Sequence, residues 1–445
     1  MGNIKREIFA YTAFIFLIFT SSVFIVQKNG LLHPEALERI PNYLDERNLF
    51  QKVYDIDKNE YGLYQAREIS HFFDYVDANF IKFSASIGLP HFYSLIYFIS
   101  IFIIISISLY ISRIYFNHKN FLIPSLIIMI YLFSPIPFFS PFMFRSAKIL
   151  VALAITVTWL FILRFLSQKS PSTKTHFLIV ASAVFLTSGD RQGFYVLICL
   201  AGFVFLSFLF FGQKKFLKLF QLLAIGIILS IVYGYVIAPI LIKFDIHHFP
   251  SFSYHKIDFR LIKPIFFRYS TLYSLDAFKY FFGNVNRVLI LFFLLISLTI
   301  YVMGQTQKIG ERLKYAFIIL AGIFSILFLN TLMILKHSAI PLEDVRRVYY
   351  SLPLSTIILF LSLYFSGKII RSYSKTRKYL FIGFLLILIL NISYIRSHYK
   401  IIKNGLLNED YDDSPGIIDC INSDEETDTF GLRENRKNFC ELIRK

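Results

Sequence analysis

The chain has 445 residues, of which 56% are hydrophobic and 18% aromatic, and its mean hydropathy of +0.58 is too high for a protein whose whole surface meets water. A soluble globular protein is excluded, and three cysteines are too few for a disulfide scaffold. The net charge of +17 resembles a nucleic-acid-binding signature, but sorting the charges by loop explains it without a nucleic-acid partner.

The chain opens on an apolar run at about residues 7–26, preceded by Lys5 and Arg6. Its length and the lack of a small-residue cleavage site point to an uncleaved membrane anchor. A polar link with Pro34 and Pro41 follows, and then an acidic stretch from Asp55 to Asp77 that holds Asp55, Asp57, Glu60, Glu68, Asp74 and Asp77. Acids are otherwise sparse. If Gly62 leaves the helix intact, Glu60, Tyr64, Arg67 and His71 recur at three- and four-residue steps and share one face, with Ile69, Phe72 and Phe73 on the other. Such a helix rests its apolar side on a membrane and turns its carboxylates toward a polar cavity.

Further crossings are expected near 91–112, 121–139, 147–166, 176–187, 193–212, 219–242, 287–304, 315–335, 351–367 and 379–397, each an apolar run suited to the roughly 30 Å hydrocarbon core. The run at 176–187 is short and must borrow residues from Thr173–His176 or from Ser188 onward. The third crossing ends in Ser134-Pro-Ile-Pro-Phe-Phe-Ser-Pro141, whose prolines favour an irregular segment. Arg145 and Lys148 come next, either binding a phosphate or snorkelling to the interface. Asp190 and Arg191 sit in a tight turn between two apolar runs, as a functional pair or as a local ion pair closing the turn.

The loop at 243–286 mixes aromatics with Arg268 and other bases, which suits an anionic lipid head group or a glycan. Its His247, His248 and His255 lack metal-ligand spacing. Arg346, Arg347, Tyr349 and Tyr350 stand at the mouth of the tenth crossing, where two guanidinium groups can grip a phosphate. Cys420 and Cys440 share an acidic tail, as a bridge or as two thiols.

The expected fold is therefore all-α: a polytopic transmembrane helix bundle of about 11 crossings, with amphipathic interfacial helices in the first outer loop. Residues 1–397 form the transmembrane domain, including outer loops at 27–90 and 243–286, and 398–445 form an acidic outer tail. With the N-terminus in the cytoplasm, one face collects Lys5, Arg6, Arg113, Lys119, Arg164 and further bases against only Glu7 and Glu311, while the other is nearly neutral. The cytoplasmic links are too short for a nucleotide-binding domain and no Gly-rich phosphate loop occurs, so a phosphorylated substrate would be met on the outer face.

An acidic first outer loop, short cytoplasmic links, a Pro-rich outer-mouth segment and a late Arg-Tyr pair together resemble the GT-C superfamily of integral-membrane glycosyltransferases. The likeness is to the subgroup of protein O-mannosyltransferases and the lipid A aminoarabinose transferase, in which an Asp-Glu pair is followed by Tyr and then Arg-Glu. Here Asn59-Glu60 stands at the acidic pair, with Tyr64 and Arg67-Glu68 following; the first acid is Asn59 and the Tyr-to-Arg interval is shorter. The resemblance implies transfer of a sugar from a polyprenyl-phosphate donor to a lipid, glycan or protein acceptor at the outer face of a bacterial cytoplasmic membrane. In that scheme Glu60, or else Asp57, takes the acceptor proton. Arg145, Arg191, Arg268, Arg346 and Arg347, with Tyr64, Arg67, Asp190 and Tyr349, bind the substrate and its phosphate. No cofactor is required by these residues, and a divalent cation is compatible with them. A surface-polysaccharide polymerase or ligase, relying on the 243–286 loop, and a transporter or flippase are the alternatives.

Overall fold

A computed structural model describes residues 2–26, 40–55, 67–87, 94–116, 118–241, 317, 349–372 and 377–408. Every element among them is helical. In chain order these are α1 (Gly2–Val26), α2 (Glu68–Ser86), α3 (Leu95–Ile114), α4 (Leu122–Leu132), α5 (Pro135–Phe139), α6 (Ala147–Ser167), α7 (Thr173–Ser188), α8 (Arg191–Phe211), α9 (Lys214–Val232), α10 (Ala238–Leu241), α11 (Leu352–Ser372) and α12 (Arg377–Asn408). Single π-helical turns occur at Gln51–Asp55 and Tyr233–Ile237, and a 3₁₀ turn at Ser140–Met143.

Among the described residues five helices are long and apolar enough to cross a membrane: Ile4–Val26, Leu95–Ile114, Ala147–Ser167, Gln192–Phe211 and Lys214–Val232. They coincide with expected crossings, as a helical membrane protein requires. The short fifth run is extended at both ends, to Thr173 and Ser188. The expected third crossing at 121–139 is not one helix. α4 stops at Leu132, and eleven residues rise only about 16 Å. Ser134 is extended, Pro135 opens α5, and Tyr97 donates a hydrogen bond to the carbonyl of Pro137, holding the Pro-rich segment inside the bundle. α12 runs on to Asn408, past the expected boundary at 397. The expected crossings at 287–304 and 315–335 and the tail cysteines lie outside the described residues.

α6 is the central helix. Ile149 and Ala152 join a core built by α1, α3, α4, α11 and α12, while Val151, Ala154, Ile155 and Phe165 face a second core with α7, α8 and α9. Two glycines let helices close up. A Cβ on Gly193 would lie 1.7 Å from the Leu186 carbonyl oxygen, and one on Gly226 2.6 Å from Ala183 Cβ. The first of these permits the sharp α7–α8 turn and the second the α7–α9 contact.

α2 does not span the bundle. Ser70, His71, Asp74, Asp77, Ala78, Ile81 and Ser84 recur at helical spacing and are buried, while Phe72 and Phe83 are exposed. Its carboxylates thus lie on the covered side, as the sequence pattern implied, with phenylalanines outward.

Two of those carboxylates are caps. Asp77 accepts from Ser94 Oγ (2.7 Å) and from the Ile96 amide (3.0 Å), which ties α2 to the N-terminus of α3. Burial pushes the Asp77 carboxyl up to about 7. A raised folded-state value means that the native protein holds this proton more tightly than the unfolded chain. Its stabilising contribution is present below about pH 4 and is lost as pH rises through about 7. Asp77→Asn keeps an acceptor for Ile96 and a donor for Ser94, so the variant should gain melting temperature over the wild type on going from pH 5 to 8. An unchanged difference across that range in a thermal scan would contradict the burial effect.

Candidate functional site

The site lies where the start of α6 meets the start of α2, the α7–α8 turn and the residues before α11. A small cleft there is lined by Arg67, Ser70, His71, Asp74, Arg145, Ala147, Lys148, Asp190, Tyr349 and Tyr350. Three cationic groups face two carboxylates, and Lys148, Asp74 and Asp190 are buried while Arg67 and Arg145 are half-buried, so the field around the buried groups is weakly screened.

Asp190 is the hub. It is extended and caps α8, accepting from the Gln192 amide at 2.8 Å. The same oxygen accepts from Lys148 Nζ at 2.5 Å, and the other lies 3.4 Å from Arg67 Nε. Burial alone would raise the Asp190 carboxyl, but Lys148 and Arg67 hold it well below the usual carboxylate range. Lys148 is 3% exposed and sits 5.0 Å over the Tyr350 ring. It therefore does not snorkel to the interface, and Asp190 is bound to Lys148 and Arg67 across the bundle.

Arg145 is aimed by the chain reversal before it. Phe144 is buried with φ 40°, a left-handed conformation uncommon for a non-glycine residue and frequent at functional sites. Ser146 donates its amide to Asp74 at 2.7 Å and its hydroxyl to the Ser70 carbonyl at 3.0 Å, which stitches α6 to α2. Asp74 therefore also works as a helix cap. Tyr43, fully buried on a helical turn at 40–44, reaches His71 Nδ1 at 2.8 Å and donates to Asp74 at 3.4 Å.

Tyr349, expected among the substrate-binding groups, has its hydroxyl committed to the backbone: it donates to the Arg145 carbonyl (2.9 Å) and accepts from the Lys148 amide (3.1 Å). Burial pushes its phenol well above the ordinary value, so it is a neutral hydroxyl. It positions the two cations. Tyr349→Phe should leave the fold intact, cost about 1–3 kcal/mol in melting experiments because a buried amide and carbonyl lose a partner, and weaken anion binding.

Four expected site residues thus meet: Arg67, Arg145, Asp190 and Tyr349. Arg67 precedes α2 and its carbonyl accepts the His71 amide at 2.9 Å. It is the cap of that helix, so the continuous helical face expected through Arg67 is corrected, although Arg67 and His71 still share the cleft. The backbone of Arg191 opens α8. Glu60, Asp57, Tyr64, Arg268, Arg346 and Arg347, the side chain of Arg191, and the histidines of the 243–286 loop fall outside what the structure describes. The sequence offers no local signal for Tyr43 or Ser146, and it places Asp74 only among the carboxylates of the acidic stretch, with no sign of its partner 72 positions away. Among the described residues no group of three His, Cys, Asp or Glu could hold a metal ion.

No protein-family model, curated protein or solved structure matches this chain.

Proposed function

We propose that this protein is a polytopic glycosyltransferase of the GT-C kind, moving a sugar from a polyprenyl-phosphate donor to a lipid, glycan or protein acceptor at the outer face of a bacterial cytoplasmic membrane. What supports the reading is one observation: Arg67 and, from the start of α6, Arg145 and Lys148 converge in one cleft at one end of the bundle. Guanidinium and ammonium groups fixed in a poorly screened site stabilise the charge that develops on a departing lipid phosphate. The bases Lys5, Arg6, Arg113, Arg164 and Lys214 lie by helix direction at the opposite end, which favours a cytoplasmic N-terminus and an outward cleft. In this reading about eleven helices cross, α2 lies in the interface with Phe72 and Phe83 in lipid, and Glu60 or Asp57 remains a candidate base. A transporter is less favoured, since the clustered charges sit at helix starts and not in mid-helix. Mass spectrometry of lipids and surface glycans from a strain lacking the protein tests the proposal. A missing sugar substituent, restored by the wild-type gene, is expected; an unchanged glycan and lipid profile would rule it out.

A further inference from the structure

We propose that Phe50 and Tyr54 form a stacking platform for a neutral sugar ring, the place where a glycan acceptor is held beside the cationic cleft. The acceptor role rests on the glycosyltransferase reading above. Phe50 and Tyr54 stack with ring centroids 4.7 Å apart and planes inclined by 26°. Phe50 is 47% exposed and Tyr54 is half-buried, so one side of the stack is open. A pyranose has a face of C–H groups that packs on the electron-rich face of an aromatic ring, and a rim of hydroxyls that need polar partners. Tyr54 supplies one. Its hydroxyl lies 3.5 Å from that of Tyr233, long for an O–H···O bond, and retains capacity for a sugar hydroxyl. The two tyrosines belong to the π-helical turns at Gln51–Asp55 and Tyr233–Ile237, and such turns are frequent at functional sites.

The turn that carries the stack is braced. Asn48 and Gln51 each donate a backbone amide to the other's side-chain oxygen, at 3.1 and 2.9 Å. Lys52, 6% exposed, donates to the Asp45 carbonyl at 2.6 Å and lies 5.4 Å over the Tyr75 ring of α2. Arg47 is bound to the Asp45 carboxylate and the Asn42 carbonyl. Both cations near the stack are thus engaged by protein groups, which suits a neutral ligand and separates the platform from the cleft that takes an anion. Tyr233 is also hydrogen-bonded to Glu68, the residue after Arg67 of the cleft, so platform and cleft are neighbours at the start of α2. The exposed residues around Phe50 are Glu46, Asn48, Leu49 and Gln51. Three of them are polar, which places the turn in water and not in hydrocarbon. A polyprenyl donor is held by its phosphate in the cleft and by its chain in the bilayer, so a sugar site standing in water serves the acceptor.

The test uses full-length protein in lipid nanodiscs with the methyl glycosides of glucose, galactose, mannose and N-acetylglucosamine, read by saturation-transfer NMR. At least one glycoside should receive saturation at its ring C–H protons. Phe50→Ala should lower that signal at least about fivefold, and Phe50→Trp should keep it. Tyr54→Phe, which keeps the stack and removes the hydroxyl, should lower it about threefold. The melting curve and the farnesyl phosphate affinity of Phe50→Ala should match the wild type, since the ring is exposed and lies outside the cleft. No saturation of any glycoside overturns the proposal, and so does an undiminished signal in Phe50→Ala. Phe50→Trp in a Trp159→Phe background also reports position: quenching by spin-labelled lipid would put the ring in the bilayer and overturn the platform. If the deletion strain lacks a sugar while Phe50→Ala keeps its signal, the platform falls and the glycosyltransferase reading stands. If that strain keeps its glycans while Phe50→Ala loses its signal, the glycosyltransferase reading and the acceptor role fall, and the sugar-binding platform stands.

Discussion

Asp190→Ala should destabilise the protein by about 3–5 kcal/mol, because it leaves Lys148 charged and buried without its partner. The single tryptophan, Trp159 in α6, reports unfolding by fluorescence. The double variant Lys148→Met/Asp190→Leu should recover part of that loss, since no unpaired charge remains buried at position 148 although the Gln192 amide and Arg67 lose a partner, yet it should not bind a lipid phosphate. Recovery of stability without binding separates the structural role of the pair from its role in the site. The pH dependence has a definite sign. The Asp190 carboxyl is held below its ordinary range in the native state, so its contribution is present at neutral pH and is lost as pH falls below about 4. The gap between wild type and Asp190→Ala should therefore narrow as pH falls below about 4. Equal stability of the two proteins at pH 7 would mean that Lys148 is not held as described.

Arg145→Ala is expected to reduce sugar transfer by about 10²–10³-fold, the loss seen when a preorganised charge stabiliser is removed from a transition state. Its effect on melting should be smaller than that of Asp190→Ala, because the Arg145 carbonyl keeps its hydrogen bond from Tyr349. Arg145→Lys should recover only part of the rate, as a point charge replaces a planar two-pronged donor. Full activity in Arg145→Ala would remove the cleft from the proposed mechanism, whatever the fate of the glycan in the deletion strain.

The bundle's character was legible because lipid imposes it. Apolar runs of membrane-spanning length can satisfy their backbone groups only as helices, so α1, α3, α6, α8 and α9 follow from Ile, Leu and Phe content alone. The short fifth run was also readable, since Ser172 and Asp190 are residues that cap helices. The third crossing was read too long, because apolar composition continues through Phe138 and Phe139 while Ser134 and Pro135 break the helix. Phe138 and Phe139 are buried in the core, which holds that broken segment inside the bundle.

The sequence by itself determined the helical membrane class and a short roster of polar residues at helix ends that includes Arg67, Arg145, Asp190 and Tyr349. Only the tertiary structure decided their roles: Asp190 pairs with Lys148 42 positions away, Tyr349 braces a backbone, and Asp74 and Asp77 cap helices. The physical reason is range. Hydropathy and capping act over a few residues and leave a periodic trace, whereas a buried charge takes whichever opposite charge or amide the packing brings within about 3 Å, and no local pattern records that choice.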